Sequence, residues 1–229
     1  MKGRAVVFDM FGVLCSPTSP ENEIIEEYRL DPNIYDRLQR AVCGYRFTGD
    51  WDAYVHQIIE AAGIEDNHTN DAAIRRILGE EFEKGYGTVR AEAKDVLAGL
   101  KGEGYRLGLL SNAYPPCRRI IEDRRLIDYF ERGAAIFSYE VGMTKQDPGI
   151  FRLCLRRLGA KAPNAVMVGD SLKSDILGAS EATNGEMGGI LLSENPSPEA
   201  VKSGCAIVSS LAEVPVAVRR YFEVHDAAQ

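Results

Sequence analysis

Residues that can act as nucleophiles, phosphate ligands or metal ligands follow three apolar runs of the sequence. Asp9 follows AVVF, Ser111 and Asn112 follow LGLL, and Asp170 follows AVMVG. Lys145 comes just before DPGIF, a pattern that predicts the start of a helix. Ligands bind beyond the carboxyl ends of the strands in open parallel sheets. We therefore expect these five residues, which lie far apart in the sequence, to converge at one edge of a sheet.

Each of these residues also has an ordinary structural explanation. An Asp at a strand end commonly forms a turn, a Ser-Asn pair commonly caps a helix, and a loop Lys is normally solvated. The combination is more informative than its members, because several polar residues at one predicted edge are unusual without a ligand. The pattern therefore favours a functional site.

The elements that must position these residues differ between two parts of the chain. From Arg90 onward, short apolar runs alternate with helical patterns, and the N-terminal run RAVVF is one further strand that lies apart from the others in sequence. Continuous apolar strands that alternate with helices are typical of a parallel sheet covered on both faces. The fold class predicted is α/β, with a Rossmann-like parallel sheet.

Between the first strand and the rest, four segments show only helical periodicity, with apolar residues three and four positions apart. They are PENEIIEEYRL, DPNIYDRLQRAV, DWDAYVHQIIEAAG and NDAAIRRILGEEFEKG. Asp50 is the predicted N-cap of the third helix and Gly63 its C-terminal stop, and Asn70 or Asp71 is the predicted N-cap of the fourth. The segment is thus expected to be all-helical.

The alternating strand and helix pattern and the all-helical segment together predict a core domain with an insertion. The α/β core comprises residues 1–15 and 88–229, and the helical insertion comprises residues 16–87. Gly85 and Gly87 stand where the insertion returns to the core and are candidates for a hinge.

Charge and composition limit the partners. The net charge is −7 and no long basic run is present, so the chain lacks the phosphate-neutralising patch that a general nucleic-acid binder needs. No apolar run approaches the length of a membrane span. The five cysteines are scattered and form no C-x-x-C pair, which is typical of reduced cytoplasmic proteins. We expect a cytoplasmic protein that acts on a small molecule.

Four stretches resemble, in order, the four signature motifs of the haloacid dehalogenase-like (HAD) hydrolase superfamily. They are FDMFGVL, LLSNA, TKQDPGIF and VGDSLKSDILGA, and together they span essentially the whole predicted sheet domain. The resemblance implies a Rossmann-like parallel sheet, and the helical segment is similar to the small cap that family members insert after the first motif.

The resemblance also implies roles for individual residues. Asp9 would be the nucleophile that forms an aspartyl-phosphate. Ser111, the backbone N–H of Asn112 and Lys145 would hold the transferring phosphoryl group. A turn at Gly12 would let backbone N–H groups approach the phosphate.

A Mg²⁺ site is implied at the same place. Asp9, Asp170 and the backbone carbonyl of Phe11 would bind the ion, and Asp175 would be a further ligand, directly or through water. A charge count agrees, because three carboxylates against the single cation Lys145 leave about two negative charges that require a divalent ion or raised pKa values.

Phe11 departs from the family pattern. Phosphatases of the superfamily usually carry a second Asp at this position, which protonates the leaving group and then activates the hydrolytic water. Acid–base help of this kind contributes about 10²–10⁴ in rate. Phe11 can supply neither function. The motifs therefore indicate the family but leave the reaction open.

Three functions remain open on the sequence alone. A Mg²⁺-dependent phosphatase for a small phosphorylated metabolite is favoured. Its substrate would have a good leaving group that needs no proton donor, or His56 or Glu60 would be the substitute proton donor. A 2-haloacid dehalogenase would also place an aromatic at position 11, but those enzymes use no metal and lack the acid that Asp170 provides here. The third function is a phosphate-binding or regulatory protein with weakened catalysis.

Overall fold

A computed structural model, which describes residues 3–227, contains a six-stranded sheet in the order β3-β2-β1-β4-β5-β6. Every neighbouring pair of strands is parallel, which confirms the predicted fold class. The strands are β1 (Ala5–Phe8), β2 (Arg106–Ser111), β3 (Ala135–Phe137), β4 (Ala165–Gly169), β5 (Gly188–Leu192) and β6 (Ala206–Val208).

The strand order places β1 at a topological switch point. From β1 the chain proceeds outward through β2 and β3 on one side, and then returns to build β4, β5 and β6 on the other side. Phe8 at the end of β1 pairs with Leu109 of β2 and Val168 of β4. The next residue, Asp9, therefore emerges between the ends of two neighbouring strands, where ligands bind in doubly wound sheets.

Alternate residues of the central strands face two apolar layers. Val6 and Phe8 belong to a large cluster that continues without a break into the helices between β1 and β2, where it includes Leu38 and Ile58. Val7 belongs to the layer on the opposite face. Burial on both faces explains why β1 and β4 are continuous apolar runs.

Four helices follow β1: α1 (Pro20–Tyr28), α2 (Tyr35–Cys43), α3 (Trp51–Ala62) and α4 (His68–Gly87). Asp50 caps α3 as expected, since its Oδ1 accepts a hydrogen bond from the Ala53 N–H at 3.0 Å, and Gly63 ends the helix in the left-handed conformation. The limits of the predicted insertion, residues 16 and 87, stay a prediction.

The predicted N-cap of α4 is wrong. The N-cap lies three residues before Asn70, because the extended backbone of Asn67 lets its Oδ1 accept a hydrogen bond from the Asn70 N–H at 2.9 Å. Asn70 instead uses its side-chain amide to donate to the Glu65 carbonyl at 2.7 Å. At the other end, Gly85 and Gly87 both lie within α4.

Seven more helices follow in the part of the chain that the structure describes: α5 (Ala93–Gly102), α6 (Arg118–Asp123), α7 (Ser138–Val141), α8 (Pro148–Leu158), α9 (Gly178–Ala182), α10 (Pro198–Lys202) and α11 (Val214–Ala227). The segment PCRRIIEDRRLIDYF, residues 116–130, has the apolar spacing of one long helix, but its α-helix is limited to α6, because Arg125 takes a left-handed φ of 59°. A single turn of π-helix, Leu172–Leu177, precedes α9. No helix within residues 3–227 combines the length and apolarity required to cross a membrane.

Candidate active site

A buried ion network lies at the carboxyl ends of β1 and β4. The Lys145 Nζ is 2.8 Å from Asp9 Oδ1 and 2.5 Å from Asp175 Oδ1, and all three residues are buried. Burial alone lowers the pKa of Lys145, but the charges of Asp175 and Asp9 outweigh it and raise that pKa above its usual value. Lys145 therefore stays charged.

Lys145 is held by the strand end next to Asp9. The Asn112 Oδ1 accepts a hydrogen bond from the Lys145 backbone N–H at 2.8 Å, which ties the loop before α8 to the end of β2. Within that loop, Asp147 Oδ2 accepts a hydrogen bond from the Thr144 N–H at 2.9 Å. Asn112 thus positions Lys145 through its side chain, in addition to the phosphate contact expected of its backbone.

Asp175 is presented by the π-helical turn. The Ser171 carbonyl accepts hydrogen bonds from the N–H groups of both Asp175, at 3.0 Å, and Ile176, at 3.3 Å. The Ser171 N–H in turn donates to Asp175 Oδ2 at 3.0 Å. The widened turn directs the carboxylate back toward the end of β4, and such turns are frequent at functional sites.

Two glycines make room for the acidic side chains. A Cβ on Gly12, whose φ is +78°, would lie 1.9 Å from Asp170 Oδ2, and a Cβ on Gly169 would lie 2.3 Å from the Asp175 side chain. Both positions thus require glycine.

The acids form a cluster that fits a hard divalent cation. Asp9, Asp170 and Asp175 each offer a carboxylate oxygen, and these atoms lie within 4.8 Å of one another. Burial, with the charges of Asp175 and Asp170 adding to it, raises the pKa of Asp9 to about 7 against the opposing charge of Lys145. Desolvation by the surrounding protein and the Asp175 charge raise the pKa of Asp170 to about 6. A bound divalent cation would relieve this repulsion, and oxygen donors of this kind suit Mg²⁺.

The remaining predicted residues lie nearby. Ser111 is buried at the end of β2, where its hydroxyl donates to the Asn112 carbonyl at 3.4 Å. The side chain of Phe11 lines the cleft beside Asp9. The roles of Ser111 and Gly12 in phosphate binding, and of the Phe11 carbonyl as a metal ligand, stay predictions.

A cleft of about 470 Å³ opens above the cluster, between the strand ends and helices α1 and α2. Asp9, Lys145 and Asp170 form part of its floor. The facing wall includes Thr18, Glu21, Tyr35, Gln39 and Cys43. Gln146, next to Lys145, donates a hydrogen bond across the cleft mouth to Gln39 Oε1 at 2.9 Å.

The proposed substitute proton donors do not line this cleft. His56 is exposed and its Nδ1 lies 2.7 Å from Asp66 Oδ2, and Glu60 lies on the exposed face of the same helix, α3. Within the described residues, the cleft-lining glutamates are Glu21 and Glu181, and only Glu21 is buried. Sequence reasoning missed Glu21, because an acid in the first turn of a helix is ordinarily a solvated partner of the helix dipole.

The carboxylate–lysine cluster lies at the switch point of a Rossmann-like sheet. This arrangement is typical of α/β proteins that bind ligands at the carboxyl ends of their strands. The model of the haloacid dehalogenase-like hydrolase family matches residues 4–183. The chain belongs to this family.

The chain is also similar in sequence to proteins that are named as phosphatases. The chain is 38% identical over 160 residues to the glyceraldehyde 3-phosphate phosphatase of Pyrococcus furiosus, covering 69% of this chain and 57% of that protein. It is 40% identical over 101 residues to a protein of the same name from Methanothermobacter thermautotrophicus, covering 42% and 41%. The chain thus spans about half the length of the curated relatives it matches.

A solved structure shares the fold over the whole chain. The haloacid dehalogenase-like family hydrolase of Xanthomonas campestris aligns with 100% of this chain and 97% of its own, with a TM-score of 0.64 and 19% identity. At this identity the likeness concerns the fold alone.

Proposed function

We propose that this protein is a Mg²⁺-dependent phosphatase that hydrolyses a small phosphorylated metabolite. The observation that carries the proposal is the cluster of Asp9, Asp170 and Asp175, two of which, Asp9 and Asp175, contact the buried cation Lys145. Such a cluster retains excess negative charge, which suits a divalent cation and the phosphate that the cation would help to bind. The ion supplies charge neutralisation for the phosphoryl oxygens when bound.

The reaction divides into two displacements at phosphorus. In the first, a carboxylate oxygen of Asp9 attacks, the bond between phosphorus and the leaving oxygen breaks, and the leaving oxygen takes up a proton. In the second, water attacks the aspartyl-phosphate and releases phosphate and Asp9. Lys145 stabilises the negative charge on the transferring group and orients Asp9.

The size of the cleft and the names of the relatives support a small substrate. The cleft of about 470 Å³ is enclosed on one side by α1 and α2. Relatives at 31–40% identity are named phosphatases of glyceraldehyde 3-phosphate, phosphoserine and ribulose 1,5-bisphosphate. In this proposal residues 16–87 act as a cap that sets substrate choice.

Dehalogenation is the second candidate, and Phe11 is the observation that favours it. An aromatic residue two positions after the nucleophile suits a reaction whose leaving group, a halide, needs no proton. The acidic cluster counts against it, because a dehalogenase without metal has no need for Asp170 and Asp175 beside Asp9.

One assay separates these functions. The protein is incubated with p-nitrophenyl phosphate and with 2-chloropropionate, each with Mg²⁺ and with EDTA. We expect Mg²⁺-dependent phosphate release and no chloride release. Metal-independent chloride release would support dehalogenation instead, and phosphate binding without turnover would indicate a regulatory protein.

The substitution Asp9→Asn tests the nucleophile. We expect phosphate release to fall on the order of 10⁴–10⁶-fold, as in other enzymes that lose a covalent nucleophile. Asp95→Asn, at an exposed position of α5, is the matched control and should leave the rate unchanged. Substantial turnover by a folded Asp9→Asn protein would exclude the covalent mechanism.

A further inference from the structure

Glu21 is a buried acid in the wall of the cleft. It is 3% exposed and occupies the first turn of α1. Its Oε1 accepts a hydrogen bond from the Cys43 thiol at 3.3 Å, and its Oε2 accepts one from the Ser19 hydroxyl at 3.3 Å. These contacts hold the carboxyl group in place at the cleft surface.

No cation pairs with Glu21 within residues 3–227, unlike the neighbouring acid Glu81, which lies 3.4 Å from the Lys84 ammonium. Burial raises the pKa of Glu21, hydrogen bonds from its own N–H, Cys43 and Ser19 oppose the rise, and the charge of Glu81 adds to it. The titratable groups that interact with it are Cys43 and Tyr35 on α2, Tyr54 on α3, Glu81 on α4 and Cys117 just before α6. Glu21 therefore favours the protonated form more than an ordinary glutamate does.

Glu21 lines the same cleft as Asp9. Asp9 and Lys145 form the floor, and Glu21 and Cys43 form the wall above it. The Cys43 thiol, which donates a hydrogen bond to Glu21, also lines this cleft. A phosphate ester bound with its phosphorus at Asp9 would have its ester oxygen within this cleft, which Glu21 also lines.

We propose that Glu21 is the catalytic proton donor for the leaving group. This role rests on the phosphatase function proposed above. As the bond between phosphorus and the ester oxygen breaks, the Glu21 carboxyl proton passes to that oxygen and the alcohol leaves. Glu21, now a carboxylate, takes one proton from the water that attacks the aspartyl-phosphate; the second proton stays on the released phosphate. Each group then returns to its starting state.

Leaving-group dependence tests this role. The variant Glu21→Gln is assayed with glycerol phosphate, whose alkoxide needs a proton, and with p-nitrophenyl phosphate, whose phenolate leaves without one. We expect kcat/KM to fall on the order of 10²-fold for glycerol phosphate and less than about tenfold for p-nitrophenyl phosphate. An equal fall for both esters would overturn the proposal, because a binding or purely structural residue affects them alike.

Glu81→Gln is the matched control. Glu81 is also a buried glutamate, and it accepts a hydrogen bond from the Ser19 N–H at 2.7 Å, but it does not line the cleft. We expect the ratio of the two kcat/KM values to change far less than in Glu21→Gln, because Glu81 acts on Glu21 only through its charge. A change of that ratio equal to the change in Glu21→Gln would also overturn the proposal.

A titration of the wild-type protein is independent of turnover. Carboxyl-carbon NMR of glutamate-labelled protein, with the Glu21 signal assigned by its loss in Glu21→Gln, should show a pKa above that of a solvated glutamate. A pKa in the ordinary range would overturn the role of Glu21 as an acid. Absence of wild-type activity on both esters would overturn the proposed function, and with it this role.

Discussion

Phe11 is packed into the structure as firmly as a core residue. It is 8% exposed, and a Cβ placed on Gly85 of α4 would lie 2.9 Å from the edge of its ring. The side chain therefore fills space between β1 and α4 while it also lines the cleft. The side chain at position 11 thus provides packing in place of the acid that family phosphatases usually carry there. The proton donor that we propose is Glu21 on α1 instead.

If Phe11 occupies the place of a proton donor, a carboxyl group there should compensate for the loss of Glu21. We expect the double variant Phe11→Asp/Glu21→Gln to have a kcat/KM on glycerol phosphate about tenfold or more above that of Glu21→Gln alone. The change should also lower the melting temperature, because burial of a large apolar side chain contributes about 1.5–3 kcal/mol. Steady-state kinetics and thermal denaturation of the double variant measure both effects.

Phe11→Asn in the same background is the control, since its side chain has a similar size and no acidic proton. Recovery by Asn as well as Asp would indicate that relief of crowding, and not proton donation, restores activity. No recovery by a folded Asp variant would show that a side chain at position 11 does not reach the leaving group.

At the scale of elements, α4 connects the packing of the helical segment to the site. Its glycines have different surroundings: a Cβ added to Gly79 would meet nothing within 4 Å, whereas a Cβ added to Gly85 would meet Phe11, Thr18 and Ile120. The last turns of α4 therefore approach the loop after β1 more closely than a residue with a side chain would permit. The close approach explains why glycine stands at position 85 of a helix, where it is intrinsically unfavourable.

Paired substitutions in α4 test this explanation. Gly79→Ala should raise the free energy of unfolding by about 0.5–1 kcal/mol, because alanine favours the helix and meets no neighbour. Gly85→Ala should lower it by about 1–3 kcal/mol, because its Cβ would overlap the Phe11 ring. Urea denaturation of both variants measures the difference. Equal stabilisation by the two changes would contradict the close packing of α4 on Phe11.

For the whole molecule, the strand order determines where the acids meet. Asp9 and Asp170 follow two adjacent strands, β1 and β4, which are far apart in sequence but pair from Ala5 with Ala165 to Phe8 with Val168. Asp175 joins them from the π-helical turn that follows β4. A cation bound by these residues would connect distant parts of the chain and stabilise only the folded protein.

Mg²⁺ should therefore raise the melting temperature. At a concentration 100-fold above its dissociation constant, a ligand that binds only the folded state contributes about 2.7 kcal/mol. For a chain of this size that corresponds to a shift of roughly 5–10 °C. Asp170→Asn, at a position open to the cleft, should fold normally and lose most of the shift. A wild-type melting temperature that does not respond to millimolar Mg²⁺ would contradict the metal site.

Several features could be predicted from local sequence because their causes are local. Continuous apolar runs predict strands buried on both faces, and β1, β2 and β4 confirm this. The capping preference of Asp50 and the positive φ of Gly63 define α3 for the same reason. The start of α4 could not be predicted in this way, since Asn67 and Asn70 are equally good caps in sequence and only the path of the preceding loop chooses between them.

Side-chain periodicity and turn chemistry act over a few residues, so the parallel α/β fold and the strand ends at which polar residues collect could be inferred from local sequence. Which of those groups are in contact depends on the tertiary structure. The 2.8 Å contact of Lys145 with Asp9 and the π-helical placement of Asp175 depend on the packing of distant segments. The burial of Glu21 likewise depends on α2 and α4 packing over α1, because desolvation is a property of the assembled helices and not of a glutamate or its neighbours in sequence.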